Sequence, residues 1–126
     1  TTPYENTIVY NNTKYGTERY AEEFIKLMDH EQFHFICDDE VYNIFIEHLE
    51  NQFGNEWIIT KALKHGIGVH HGLVPKYIQK EIINLFNSGK LLVLISTTTI
   101  TEGVNTTAKN IIITSNKKRF KAIKKF

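Results

Sequence analysis

Three polar segments each follow an apolar run: Asn11-Asn12-Thr13 after Thr7 to Tyr10, His71-Gly72 after Ile67 to His70, and Thr97-Thr98-Thr99 after Leu91 to Ser96. Hydroxyls, a carboxamide and free backbone amides in such places hydrogen-bond phosphate oxygens without reading a base, and Gly72 lets a backbone approach one closely. The chemistry on offer is a sequence-independent grip on a phosphate backbone. The same threonines would serve equally as caps for the turns that follow, and spacing alone leaves both roles open.

Other reactive side chains are less organised. F-H-F-I-C-D-D-E-V imitates an apolar strand followed by a magnesium-binding acid pair, through Asp38, Asp39 and Glu40. With no phosphate loop ahead of it, the acids read better as the capped, acidic start of a helix. His34 and Cys37 stand three apart with His30 four residues earlier, but a metal site would want further ligands at matching spacing, and the six histidines read as structural or surface residues. The pair His70-His71 invites a general-base role; no nucleophile partner is indicated, and packing at a strand end is the plainer reading.

These segments need elements to hold them. Thr7 to Tyr10 reads as a strand, Asn11-Asn12 and Gly16-Thr17 as turns, and Tyr20, Phe24, Leu27 and Met28 as one face of a helix. A second helical set, Val41, Ile44, Phe45, His48 and Leu49, runs from Asp38 to a stop at Phe53-Gly54. Asn55 is placed to cap a short helix over Trp57 to Leu63. Ile67 to His70 is a brief buried strand, Pro75 opens a helix with Ile78, Ile82, Leu85 and Phe86, and Ser88-Gly89 closes it. Leu91 to Ser96 and Asn110 to Thr114 are continuous apolar runs of the kind covered on both faces. Strands alternating with helices predict an α/β fold, a doubly wound parallel sheet with helices on both faces, and ligands beyond the carboxyl ends of its strands.

The 126 residues, 41% hydrophobic, suffice for one core, so residues 1–126 are expected to form a single domain. The longest apolar runs fall far short of the roughly 18 residues of a membrane span. With Cys37 as the single cysteine and no signal-like opening, the expectation is a soluble, cytoplasmic protein without membrane association. Charge is unevenly spread: residues 1–56 hold three basic and twelve acidic side chains, residues 57–126 twelve and two. A basic second half suits phosphate or nucleic acid, and equally suits two solvated faces that attract each other. Six of the basic side chains fall in residues 117–125, which read as a solvated tail. Abundant Asn, Ile and Lys fit an AT-rich, bacterial genome.

Taken together, V-H-H-G-L-V-P, F-N-S-G and L-L-V-L-I-S-T-T-T-I-T-E-G-V-N-T-T-A-K-N-I-I-I resemble the second, C-terminal RecA-like lobe of superfamily 2 DExH helicases, in the Ski-like branch. The resemblance spans nearly the whole chain, with Ile8 to Thr13 similar to motif IV and Thr97 to Ala108 similar to motif V. It implies that Thr97 and Thr98 meet a nucleic-acid backbone, and that Glu102, Gly103 and Asn105 face the nucleotide or link the two sites. It further implies that His71 and Gly72 border the nucleic-acid track, with Asn11 and Thr13 in the motif IV loop. Gln79 stands where many relatives have arginine, which weakens any buried ion pair there, and Thr106-Thr107 replaces Leu-Pro after the motif V asparagine, which leaves the exit of that motif open.

An ATP-driven helicase needs a phosphate-loop lysine, an acid pair for magnesium and a transition-state arginine. No G-x-x-x-x-G-K-[ST] occurs, and neither Arg19 nor Arg119 has the setting of an arginine finger. The resemblance therefore implies a lobe cut just before its arginine-finger motif. It would complete an ATP and magnesium site held mainly by the N-terminal RecA-like lobe of a parent protein, and would contact single-stranded DNA or RNA without hydrolysing ATP alone. The rival reading is a non-enzymatic α/β interaction module that docks protein partners through its oppositely charged halves.

Overall fold

The computed structural model describes residues 7–97, 110–114 and 120–125. Along the chain run β1 (Thr7–Tyr10), α1 (Lys14–His30), α2 (Glu40–Phe53), α3 (Ile58–Lys64), β2 (Ile67–His70), α4 (Lys76–Asn87), β3 (Val93–Ser96), β4 (Asn110–Thr114) and β5 (Phe120–Lys125). The strands form one sheet in the order β2-β3-β1-β4-β5. The first four are mutually parallel, as the alternation of strands and helices requires, and β5 joins β4 antiparallel.

Register decides which residues share a face. Thr7 aligns with Val93 and Val93 with Ile67, while Val9 aligns with Ile95 and Ile112, and Ile95 with Val69. These rows point one way; Ile8, Leu94 and Gly68 alternate to the other. On that second face, a Cβ at Gly68 would lie 2.7 Å from Ile82 Cγ2 and 2.8 Å from Leu91 Cδ1, so only glycine lets α4 sit this close to β2. The first face is left to α1 and α3, which pack on each other and on β2. The sheet is therefore doubly wound, with a fully buried core that includes Val9, Ile67, Val69, Ile78, Ile82, Leu94 and Ile95.

Helix α2 holds the two layers together at the β2 margin. It packs on α3, while Asp39 at its start is ion-paired with Lys90 beyond the end of α4 and His48 bonds Tyr77 in the first turn of α4. Those two ties make α2 and α4 antiparallel. The acids at its start act as the sequence indicates: Asp39 Oδ1 accepts from the Tyr42 amide at 2.9 Å and Glu40 occupies the first turn.

Several expectations are corrected. The buried residues of α2 are Tyr42 and Leu49, whereas Val41 and Ile44 are 60% and 57% exposed. Tyr42 wins because its ring is buried while its hydroxyl donates to Leu63 O at 2.6 Å, satisfying the polar end. Leu27 is likewise more exposed than its neighbours Phe24 and Met28. Helix α3 begins after Trp57 without a side-chain cap, so Asn55 does not cap it, and Pro75 occupies the cap position of α4 rather than its first turn. Gly16 and Thr17 lie inside α1 rather than in a turn. Strand β3 starts at Val93, because the amides of Leu92 and Val93 both turn to Gly66 O, at 2.8 and 3.3 Å. The basic tail is partly strand: Phe120–Lys125 forms β5 at the margin of the sheet.

Candidate nucleic-acid interface

The three polar segments leave β1, β2 and β3 at the same, carboxyl edge of the sheet. Register brings the last residues together, Tyr10 and His70 each opposite Ser96. Backbone bonds lock the ends, from Asn11 N to Ser96 O at 3.0 Å and from Thr97 N to His70 O at 3.2 Å. Asn11, Thr13, His71, Gly72 and Thr97 thus come to one edge. Thr98, Glu102, Gly103 and Asn105 lie outside the described residues.

Asn11 is fully buried, and its carboxamide is consumed internally. Its Nδ2 donates to Thr114 Oγ1 at 2.8 Å, and its Oδ1 accepts from the Thr13 amide at 3.0 Å and the Thr13 hydroxyl at 3.1 Å. Thr114 Oγ1 in turn donates to Tyr10 O at 2.8 Å. Thr13 Oγ1 caps α1 by accepting from Gly16 N at 2.9 Å. A Cβ on Gly16 would fall 1.9 Å from Asn11 Oδ1, which explains a glycine inside a helix. In this loop the two roles left open by the sequence resolve toward capping for Thr13, and Asn11 ties β1, β4 and α1 into one unit.

The segment after β2 is built differently. His71 is 4% exposed, with both ring nitrogens engaged. The Leu73 amide donates to Nδ1 at 3.1 Å, so the ring proton is on Nε2, which donates to Glu18 Oε2 at 2.7 Å. From below, Gln79 Nε2 donates to His71 O at 3.1 Å and Val74 O at 2.6 Å. Two amide hydrogens of a neutral side chain thus hold two backbone carbonyls of the turn. Glu18 and Gln79 therefore hold the turn rigid, while Gly72 and Leu73 between them are exposed.

Gly72 adopts an ordinary backbone conformation, and nothing lies within 4 Å of the place its Cβ would take. The fold does not require glycine there. His70, one residue before His71, faces α4; burial is the main cause that lowers its pKa from 6.5, and its buried Nδ1 has no hydrogen-bond partner among the described residues. With Lys76, Gln79, Lys80, Ile83 and Asn84 it lines an open groove of about 480 Å³. Neither histidine faces a nucleophile among the described residues.

Residues 40–124 match the family model described as "Helicase conserved C-terminal domain". The chain belongs to this helicase C-terminal domain family. It is 42% identical over 84 residues, 67% of its length, to "Anti-bacteriophage protein B" of Escherichia coli strain K12. It is 32% identical over 120 residues, 91% of its length, to "ATP-dependent RNA helicase mtr4" of Schizosaccharomyces pombe, and 27% identical over 118 residues to "Exosome RNA helicase MTR4" of Mus musculus. The chain spans only 11 to 12% of the length of these proteins. A helicase C-terminal domain of RecA-like α/β architecture is what the sheet order and the quoted motifs together describe.

Glu18, Gln79 and Thr114 escaped sequence reasoning as contributors to this edge. Gln79 had a signal, since the resemblance singles it out as a departure from the expected pattern. Thr114 ends an apolar strand much as Asn11 follows one, but Glu18 resembles the solvent-facing Glu22 and Glu23 of the same helix.

Proposed function

We propose that this helicase C-terminal domain grips the phosphate backbone of a single-stranded nucleic acid at the carboxyl edge of its sheet, in a parent protein that couples ATP hydrolysis to movement along the strand. The observation that carries this reading is Gly72. It is exposed, internally unnecessary and fixed between a pinned His71 and the head of α4, which is where an incoming backbone would need the absence of a side chain. Thr97 and Thr98 would add hydroxyl and amide donors beside it.

Glu102, Gly103 and Asn105 would form one face of the nucleotide cleft, opposite the N-terminal RecA-like lobe. The described residues of this edge offer amides, hydroxyls and a carboxylate already bound to His71, not an acid pair, and the sequence has no phosphate-loop lysine. ATP and magnesium would thus be held chiefly by the other lobe, which supplies the phosphoryl chemistry, and the isolated domain would not turn over ATP.

Single-strand binding measured by fluorescence anisotropy at increasing salt tests the reading. Gly72→Val and the Thr97→Ala, Thr98→Ala pair should each weaken binding without lowering Tm, and affinity should fall steeply with salt. Salt-insensitive binding, or binding unchanged in these variants, would sink it. Exposed Val41 and Ile44 favour the competing protein-docking reading, which predicts stoichiometric partner capture abolished by Val41→Glu with no nucleic-acid affinity.

A further inference from the structure

Two large side chains stand exposed beside the gripping turn. Tyr15, in the first turn of α1, is 73% exposed, and Leu73, next to Gly72, is 70% exposed. They belong to separate segments that the Glu18–His71 bond at 2.7 Å draws together. Glu18 is three residues after Tyr15, on the same helix face but one turn further from the sheet edge, and His71 is two residues before Leu73. Tyr15 and Leu73 therefore flank one short stretch of surface directly beyond the strand ends.

Nothing in the fold calls for either group to be apolar. The Tyr15 hydroxyl makes no hydrogen bond among the described residues, and neither side chain belongs to the core. Scattered exposed apolar residues are ordinary. A pair on two turns held rigid by a buried histidine, at the edge where the ligand is expected, is a different matter. Lys14 precedes Tyr15 and Lys76 follows Leu73 by three residues; both are exposed, and neither is in an ion pair among the described residues. A cationic rim around an aromatic ring and a branched aliphatic group matches a phosphate-linked strand whose bases are unstacked.

We propose that Tyr15 and Leu73 form a base-stacking platform, the Tyr15 ring lying against the face of one base and Leu73 filling its flank, while Gly72 admits the adjoining backbone. The platform rests on the reading of this edge as a nucleic-acid interface, and deepens it. The backbone grip is indifferent to bases, whereas the platform makes affinity depend on their presence. Because every base has a π-face, it confers no sequence specificity.

The decisive experiment compares strands of equal phosphate count with and without bases. The longest natural polypeptide that carries these residues is titrated with labelled oligouridylate and oligothymidylate of about a dozen nucleotides, and with matching abasic strands. Tyr15→Ala should weaken binding of the base-bearing strands about 5- to 100-fold and leave the abasic strands unchanged. Tyr15→Phe should retain wild-type behaviour, Leu73→Ala should give a smaller loss of the same kind, and Lys14→Ala should weaken both strand types alike. Both exposed positions can change without unfolding the chain, which circular dichroism checks. Equal loss on both strand types for Tyr15→Ala, or no loss, overturns the platform; if Gly72→Val still weakens both, the backbone grip stands without it. A wild-type protein that binds no strand overturns both.

Discussion

The two ends of the sheet are closed by different chemistry. At the amino ends, Gly66 is covered by the ring of Phe35, which packs on Tyr42 at a centroid distance of 5.8 Å, and Leu91 enters the core ahead of β3. An ion pair, Asp39–Lys90, lies over this closure. At the carboxyl ends the closing groups are Asn11, Thr13, His71, Gln79 and Thr114, joined by hydrogen bonds. Rings exclude water and leave nothing for a ligand to bond. Amides and hydroxyls spend themselves on neighbouring backbone and leave short stretches, such as Gly72-Leu73, open at the surface. Polar closure is the costlier choice in a buried setting, since every member must be satisfied, and it is found at the end where RecA-like folds take ligands.

That contrast is broken most severely at Asn11. Gly16→Ala would force its Cβ into Asn11 Oδ1, displacing a buried carboxamide from three hydrogen bonds, and should cost about 3 kcal/mol by chemical denaturation. The cost should vanish in an Asn11→Ala background, where alanine gains helix propensity of up to about 1 kcal/mol over glycine. Such non-additivity is the signature of a direct clash. Additive single costs would show that Gly16 is needed for some other reason.

The legibility of these two ends in the sequence was unequal. Strands β1, β2 and β4 are readable to the residue, because their β-branched runs are bounded by polar or glycine residues on both sides. The long-range partners are not readable. Asn11 to Thr114 spans 103 positions and His71 to Glu18 spans 53, and no local pattern encodes a contact set by strand order. Helix α2 misled for a related reason, since Val41 and Ile44 keep helical spacing but the face that turns inward is chosen by Tyr42 finding Leu63 O. Lysines hid β5, whose pairing partner β4 supplies what its composition does not.

Gln79→Leu comes next in size. It conserves bulk while stripping the two donors from His71 O and Val74 O, and should destabilise by about 2 kcal/mol. Single-strand affinity should fall with it at temperatures well below Tm, because the turn presenting Gly72 loses its support from beneath. Loss of stability with full retention of binding would separate the network from the grip. Thr13→Ala, which removes the α1 cap and one bond to Asn11, should cost about 1 kcal/mol, read from the same denaturation curves.

The smallest effect lies at the aromatic end and isolates its one ionic element. Asp39 is both helix cap and partner of Lys90; the bond to Lys90 is the main reason its carboxyl sits below the usual 3.8, with the Tyr42 amide second. Asp39→Asn keeps the cap, since asparagine accepts the same amide bond, and deletes the pair. A carboxylate with a depressed folded value contributes stability in full above pH 3.8 and loses it as the pH falls through that folded value. The Tm gap between wild type and variant should therefore be constant from neutral pH to about pH 5, close below pH 3.8, and shrink in molar salt. His70 also titrates in acid: burial depresses it from 6.5, so its contribution begins to fade as the pH drops below that value. That loss is common to both proteins and cancels in the difference. A gap that starts to narrow near pH 6.5 would mean that the amino and carboxyl ends of the sheet are coupled through β2 and α4 rather than closed independently.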